Sequence, residues 1–157
     1  MLLALLACTA ATGAQTVASG HGGAPMAEAA CPWLTEGTAA DALGGNVTVT
    51  VAGNSSEGSC RFARRDGSMD FLEIHVGAEP LRACPTGSLP LRGIGNEAQR
   101  CRMAGAHGMM EEMASGSVRA LHFTVTLAGR ASRGSGKASE SDDNLARIAD
   151  EVAGSLY

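Results

Sequence analysis

The chain has 157 residues and a formal net charge of −4 at pH 7, with 12 Lys and Arg against 16 Asp and Glu. This charge balance excludes the basic surface expected of a nucleic-acid binder. Aromatic residues make up 3% of the sequence, so stacking platforms for bases or sugars are scarce and the core relies on smaller apolar side chains.

The chain opens on an apolar run over residues 2–7, which is too short to span a bilayer because a span needs about 20 apolar residues. Small residues follow, as in a secretory signal. Two processing routes fit this pattern. In one, Leu-Leu-Ala-Cys over residues 5–8 resembles the lipobox of bacterial lipoproteins, so that residues 1–7 are removed and Cys8 is lipidated. In the other, residues 1–14 form a signal peptide that is cut after Ala14.

The next segment, residues 15–30, is rich in Ala, Gly, Thr and Ser and shows no periodicity. Such a segment buries too little apolar surface to offset its ordering entropy, so we expect a flexible tether. Residues 31–157 suit one domain. We expect export to the periplasm or the extracellular space, with membrane attachment only through a lipid anchor at Cys8.

A first helix is predicted over residues 32–43. Pro32 suits the first turn of a helix, and the Ala-rich stretch after it favours helix. Gly44 and Gly45 then provide a C-terminal stop.

A run of strands follows the first helix. Residues 46–52 alternate Val and Thr, which predicts a strand with one apolar face. Residues 59–65 and 69–77 predict a second and a third strand, joined by a hairpin turn at Asp66-Gly67.

The middle of the chain has a less regular pattern. Residues 79–94 contain three prolines and predict a long connection. Residues 96–103 predict a short strand, with a turn after it over residues 105–108. Residues 109–114 and 117–127 predict a hairpin that turns at Ser115-Gly116.

The C-terminus has the clearest helical signal. A Gly/Ser/Arg loop over residues 129–139 leads to Ser141, the predicted N-cap, and to two Asp residues that complement the helix dipole. An apolar stripe follows at Leu145, Ile148, Ala149, Val152 and Leu156. The whole order predicts a two-layer α+β domain, in which an antiparallel sheet of five or six strands packs one face against both helices.

Five cysteines divide into Cys8 and a set of four in the domain body. An even set in an exported domain predicts two disulfides, although sequence alone leaves three pairings open. We favour Cys31–Cys60, which ties the first helix to the second strand, and Cys84–Cys101, which closes the proline-rich connection. A zinc site with these cysteines as ligands is the rival interpretation, but no C-x-x-C spacing occurs.

Residues 91–98 read Leu-Arg-Gly-Ile-Gly-Asn-Glu-Ala. This stretch resembles a G-hydrophobic-G-D/N-E-A motif of small exported bacterial proteins and lipoproteins of unknown function. Those proteins carry a cysteine in the first helix, a cysteine in a strand and a C-terminal amphipathic helix, and Cys31, Cys60 and residues 145–157 occupy these places here. The resemblance implies the fold and an exported location and transfers no active site. Physically, Gly93 and Gly95 mark backbone that needs positive φ or close approach.

The sharpest candidate for chemistry is the segment from His107 to Met113. Thioether and imidazole ligands suit copper, above all Cu(I), so His107, Met109, Met110 and Met113 are candidate metal ligands, with Met103 upstream. On a strand, however, Met109 and Met113 share one face while Met110 points away. Structural packing is the alternative, because Met also fills gaps in cores.

A second candidate set is Glu73, His75 and His122, which lie on strand faces opposite the main apolar stripes. If their strands pair, two imidazoles and a carboxylate converge as zinc requires; otherwise these side chains are solvated. No G-x-S-x-G elbow occurs and no local motif places a Ser beside a His, so no catalytic residue is assigned.

These features predict a non-enzymatic exported envelope domain without a cofactor. Its expected partner is a protein or a small ligand, bound on the sheet face or at the connection over residues 79–94. The alternative is a copper-handling protein that uses the segment from His107 to Met113.

Overall fold

The computed structural model describes residues 29–81, 84–85, 88–130 and 137–157. Within them the chain forms one antiparallel sheet of seven strands together with two helices, an α+β architecture. The predicted signal segment, Cys8, most of the predicted tether and residues 131–136 lie outside the described residues.

The first helix, α1 (Glu36–Leu43), is defined by its caps. The Thr35 hydroxyl accepts a hydrogen bond from the Thr38 backbone N–H at 3.1 Å, and Gly44 ends the helix with φ 69°. The predicted stop is therefore confirmed. The predicted start at Pro32 is wrong, because Thr35 supplies the capping oxygen that Pro32 lacks and the chain before it bends.

The strands lie in the order β1-β2-β3-β7-β6-β5-β4, each antiparallel to its neighbours. Their bounds are β1 Val47–Gly53, β2 Gly58–Arg64, β3 Phe71–Gly77, β4 Leu89–Pro90, β5 Glu97–Ala104, β6 Met109–Val118 and β7 Leu121–Arg130. The expectation of five or six strands missed β4. This strand has two residues and lies inside the predicted connection, where no period-two pattern indicates it.

The turn between β2 and β3 is confirmed at Asp66-Gly67, where Gly67 takes φ 76°. The Ser68 backbone N–H donates to the Asp66 carboxylate at 3.0 Å. This hydrogen bond stabilises the charged form and lowers the pKa of Asp66 from its usual value.

The second predicted hairpin turn, at Ser115-Gly116, is wrong. Strand β6 continues through both residues, and the chain reverses at Arg119-Ala120. Arg119 takes φ 55° there, without the Gly, Asn or Asp that usually marks such a turn. Gly116 serves packing instead, since a Cβ at this position would lie 2.7 Å from the Phe123 ring.

One face of the sheet, here called the core face, carries the main hydrophobic core. Its largest fully buried side chains from the strands are Phe62, Leu72, Ile74, Val118, Phe123 and Val125. Buried residues of both helices join the same cluster. Helix α1 contacts β1, β2 and β3, whereas the C-terminal helix contacts β6 and β7. The sequence predicted the two helices together on one face without assigning strands to them.

The C-terminal helix, α2 (Lys137–Ser155), buries the predicted apolar stripe, which includes Leu145, Ile148 and Val152. It begins at Lys137, so the predicted N-cap at Ser141 lies inside the helix and is wrong. No Gly or Pro interrupts residues 137–141, and the helix therefore extends beyond the Asp pair.

Both favoured disulfides are present. The Cα atoms of Cys31 and Cys60 are 5.8 Å apart, and those of Cys84 and Cys101 are 5.7 Å apart. Cys60 is fully buried in the core, whereas Cys84 and Cys101 are half-buried. One bond therefore braces the core and the other braces a surface segment.

The single tryptophan, Trp33, belongs to the same buried core cluster as Cys60. Its side chain is 3% exposed, and its indole N–H donates to the Ser55 carbonyl oxygen at 3.1 Å. Ser55 lies in the turn between β1 and β2. Trp33 therefore fixes the chain before α1 against the first hairpin.

Candidate binding site

The opposite face of the sheet, here called the loop face, carries alternate residues of β5, β6 and β7. It is covered in part by a segment that includes Pro80, Leu81, Ser88 and Pro90. A cavity of about 500 Å³ lies between this segment and the sheet, a volume typical of small-molecule sites. Its floor is lined by Glu97, Gln99, Ser115, Ser117, His122 and Thr124, and by the residues between them, Ala98, Gly116 and Phe123. The described part of its roof is lined by Pro80, Leu81, Ser88 and Pro90.

The strand register arranges the floor in two cross-strand rows. Gln99 pairs with Ser115, and Ser115 pairs with Thr124. In the next row, Ser117 lies between Glu97 and His122. Because alternate residues share a face, all six side chains point to the same side of the sheet. The floor is therefore a patch of hydroxyl, amide, imidazole and carboxylate groups.

Two of these hydroxyls combine burial with an unused hydrogen-bonding capacity. Ser115 is 9% exposed and Thr124 is 4% exposed. Neither side chain has a hydrogen-bond partner among the described residues. In that part of the chain, every side-chain polar atom that is fully buried does have a partner. Both hydroxyls therefore keep a small accessible surface, and the space they border is the cavity.

The roof segment is attached to the sheet at its C-terminal end, near Ser88 and Pro90. The Ser88 hydroxyl donates to the Gln99 side-chain oxygen at 2.6 Å, and Pro90 in β4 pairs with Gln99 across the edge of β5. The disulfide from Cys84 to Cys101 adds a covalent attachment. The described roof residues at this end are thus held over polar strands.

The charge around the cavity is sparse. Glu97 is the one carboxylate among the described lining residues, and these residues include no Lys or Arg. Glu97 on β5 and His122 on β7 are separated by two strand spacings, or about 10 Å. The described lining therefore offers none of the Arg, Lys or helix N-terminal groups that bind anions such as phosphate.

The glycine motif positions the start of β5 at this cavity. Gly93 and Gly95 take φ of 83° and 59°. A Cβ at Gly95 would collide with the Ser117 carbonyl oxygen, which accepts the Asn96 backbone N–H at 2.8 Å. Both physical expectations for the motif, positive φ and close approach, are confirmed at Gly95. The close approach brings Glu97 opposite Ser117.

The candidate copper ligands are divided between the two faces. Met109 and Met113 point to the loop face and are 6% and 1% exposed, whereas Met110 points to the opposite side and is 38% exposed. His107 lies in the turn before β6 with φ 57°. Met103 also lies on the loop face, where it pairs with Glu111, the residue midway between Met109 and Met113.

The candidate zinc set shares the loop face but does not assemble. His75 and His122 are diagonal neighbours on β3 and β7, at about 7–8 Å. Glu73 lies 3.7 Å from the His75 imidazole and 3.5 Å from the Arg61 guanidinium. In the described part of the chain, no three His, Cys, Asp or Glu side chains are grouped closely enough to hold a metal ion.

Sequence reasoning singled out His122 and the proline-rich connection but missed the hydroxyl floor. Ser115, Ser117 and Thr124 alternate with apolar residues, which is the ordinary pattern of a solvated sheet face. The one available signal was the predicted Cys84–Cys101 bond, which ties the connection to β5.

Comparison with protein-family models finds no matching family. No curated protein and no solved structure matches the chain. Among the described residues, no helix is both long enough and apolar enough to cross a membrane.

Proposed function

We propose that this chain is an exported, non-enzymatic binding protein that holds a small neutral or cationic ligand in the loop-face cavity. The observation that carries the proposal is the pair of nearly buried hydroxyls, on Ser115 and Thr124, that line this cavity. The two disulfides support an oxidising location outside the cytosol.

The class of ligand follows from the groups on the floor. A polar group that is covered without a hydrogen bond costs roughly 1–3 kcal/mol, so an apolar ligand would leave Ser115 and Thr124 unfavourably desolvated. A ligand with hydroxyl or amine groups restores those hydrogen bonds. The Glu97 carboxylate among the lining residues adds attraction for a cationic amine.

A binding role is favoured over catalysis by the arrangement of Ser117 and His122. The two residues lie opposite each other on β6 and β7. No hydrogen bond joins their side chains in the described structure, whereas an activated serine needs its base at about 2.6–3.2 Å. We therefore assign them to ligand contacts.

The proposal predicts which probes bind and which hydroxyl matters. We expect glucosamine, which has an amine and several hydroxyls, to shift the backbone amide NMR signals of β6 and β7 at the cavity, with glucose weaker and inorganic phosphate inactive. Thr124→Val keeps the side-chain shape and removes one hydrogen bond, worth about 1 kcal/mol, so it should weaken glucosamine binding about fivefold.

The matched control is Thr50→Val on β1, an exposed position far from the cavity, which should leave glucosamine binding unchanged. Tighter binding of phosphate than of glucosamine would contradict the assigned ligand class. Shifts that map away from the loop face, or an equal effect of the two Thr variants, would contradict the site itself.

Copper handling is the second candidate, and one observation favours it. Met103, Met109 and Met113 all lie on the loop face, and Met103 pairs with Glu111, the residue midway between the other two. Thioether sulfur is a preferred ligand of Cu(I). Met110, on the other side of the sheet, has no part in this version of the site.

The copper candidate predicts a face-dependent result in a Cu(I) titration against a chromophoric chelator. Met109→Leu combined with Met113→Leu, which nearly preserves volume, should lower Cu(I) affinity at least tenfold. Met110→Leu is the matched control and should leave the affinity unchanged. Equal affinities in all three proteins, or a loss caused by Met110→Leu, would exclude this site.

A further inference from the structure

The outer edge of β1 carries backbone groups that no other described strand uses. β1 is the terminal strand of the sheet and pairs only with β2. At the two ends of this hairpin, the Arg65 N–H donates to the Asn46 carbonyl and the Asn54 N–H donates to the Glu57 carbonyl. In an antiparallel pair such bonds recur at every second residue, so the even-numbered residues of β1 bond to β2. The outward-facing residues are Val47, Val49 and Val51.

The sequence of this edge is a palindrome. Residues 47–51 read Val-Thr-Val-Thr-Val, which is the same in both directions. If a second copy pairs antiparallel about a two-fold axis at Val49, the outward-facing residues oppose each other in hydrogen-bonded pairs. Thr48 then faces the second copy's Thr50. An isologous interface requires this kind of self-complementarity, and pairs of β-branched residues stabilise sheets.

The β1 edge also lacks the features that normally prevent strand pairing. No charged residue and no proline occurs from residue 42 to residue 56. Edge strands are usually protected by Lys, Pro, bulges or short length. The opposite edge of this sheet shows such protection, because β4 has two residues and one of them is Pro90. The regular seven residues of β1 have none of it.

We infer that the chain forms a two-fold homodimer in which β1 pairs with β1 of a second copy, extending both sheets into one. The register is centred on Val49. The interface lies at the sheet edge opposite β4 and β5, so both loop-face cavities stay open. This inference is independent of the proposed binding function.

The register gives a charge-pairing experiment on the full exported chain, read by light scattering coupled to gel filtration. Thr48→Lys combined with Thr50→Lys places like charges opposite each other and should convert the dimer into a monomer. Thr48→Glu combined with Thr50→Lys places opposite charges across the two-fold axis and should keep the dimer. Both positions are exposed, so neither pair of changes disturbs the core.

Amide hydrogen exchange supplies a second measurement that does not depend on the variants. Exchange of the Val49 N–H should slow as protein concentration rises, whereas the Thr50 N–H, which bonds to β2, should be slow at every concentration. A monomeric wild-type protein at high concentration would overturn the inference. A dimer that survives the double Lys change, or fails to survive the Glu/Lys change, would overturn this register.

Discussion

Replacing both Cys31 and Cys60 by alanine is expected to lower the free energy of unfolding by about 3.5 kcal/mol. The bond closes a loop with a sequence separation of 29 residues, and the chain-entropy model converts a loop of that length into this value. Loss of the fully buried Cys60 sulfur adds a small void to the core. Urea unfolding followed by circular dichroism measures the loss.

The matched control is the removal of Cys84–Cys101, with a separation of 17 residues, for which the same model gives about 3 kcal/mol. This bond joins half-buried residues, so alanine leaves no void in the core. We therefore expect the core pair to cost more. An equal or reversed order would show that the first bond does not brace the core.

Gly95→Ala is expected to lower the free energy of unfolding by roughly 3 kcal/mol, which is more than the loss expected for Gly93→Ala in the same motif. Gly95 has φ 59°, and left-handed backbone costs a non-Gly residue about 1–2 kcal/mol. In addition, a Cβ would press on the Ser117 carbonyl oxygen, which is backbone in β6 and cannot move freely. Crowding of this kind typically adds about 1–3 kcal/mol.

Gly93→Ala isolates the first of these effects. Its φ is 83°, but a Cβ there would have no heavy atom within 4 Å. Only the backbone strain applies, so the expected cost is about 1–2 kcal/mol. Equal losses for the two alanine variants in urea unfolding would show that the close approach to β6 has no energetic weight.

Local patterns in the sequence were sufficient for most of the sheet. The Val/Thr alternation of β1 predicts a strand from the period of its side chains. The Asp66-Gly67 pair predicts a hairpin turn because Gly readily adopts the positive φ that the turn requires. The cysteine pairs were placed correctly because each joins elements that were already assigned.

The errors occur where tertiary contacts overrule local preference. Gly116 looks like a turn residue, but its missing side chain makes room for the Phe123 ring inside a continuous strand. The chain turns instead at Arg119, whose φ of 55° has no local signature. The pairing of β6 with β7 over their full lengths decides between the two positions.

The candidate site could not be predicted from the sequence for a related reason. A hydroxyl on a strand looks the same in sequence whether water or a cavity lies above it. Ser115 and Thr124 are distinctive only because Pro80, Leu81, Ser88 and Pro90 line the same cavity, and the sequence of that connection has no periodicity from which its path could be derived.

The burial of Trp33 has a practical consequence for every stability measurement described above. With one tryptophan in the whole chain, intrinsic fluorescence reports on a single place, where the indole meets the β1–β2 turn. Circular dichroism averages over all strands and both helices. Coincident transitions by the two signals would therefore establish cooperative unfolding from the first hairpin to α2, and separate transitions would divide the molecule into independently melting parts.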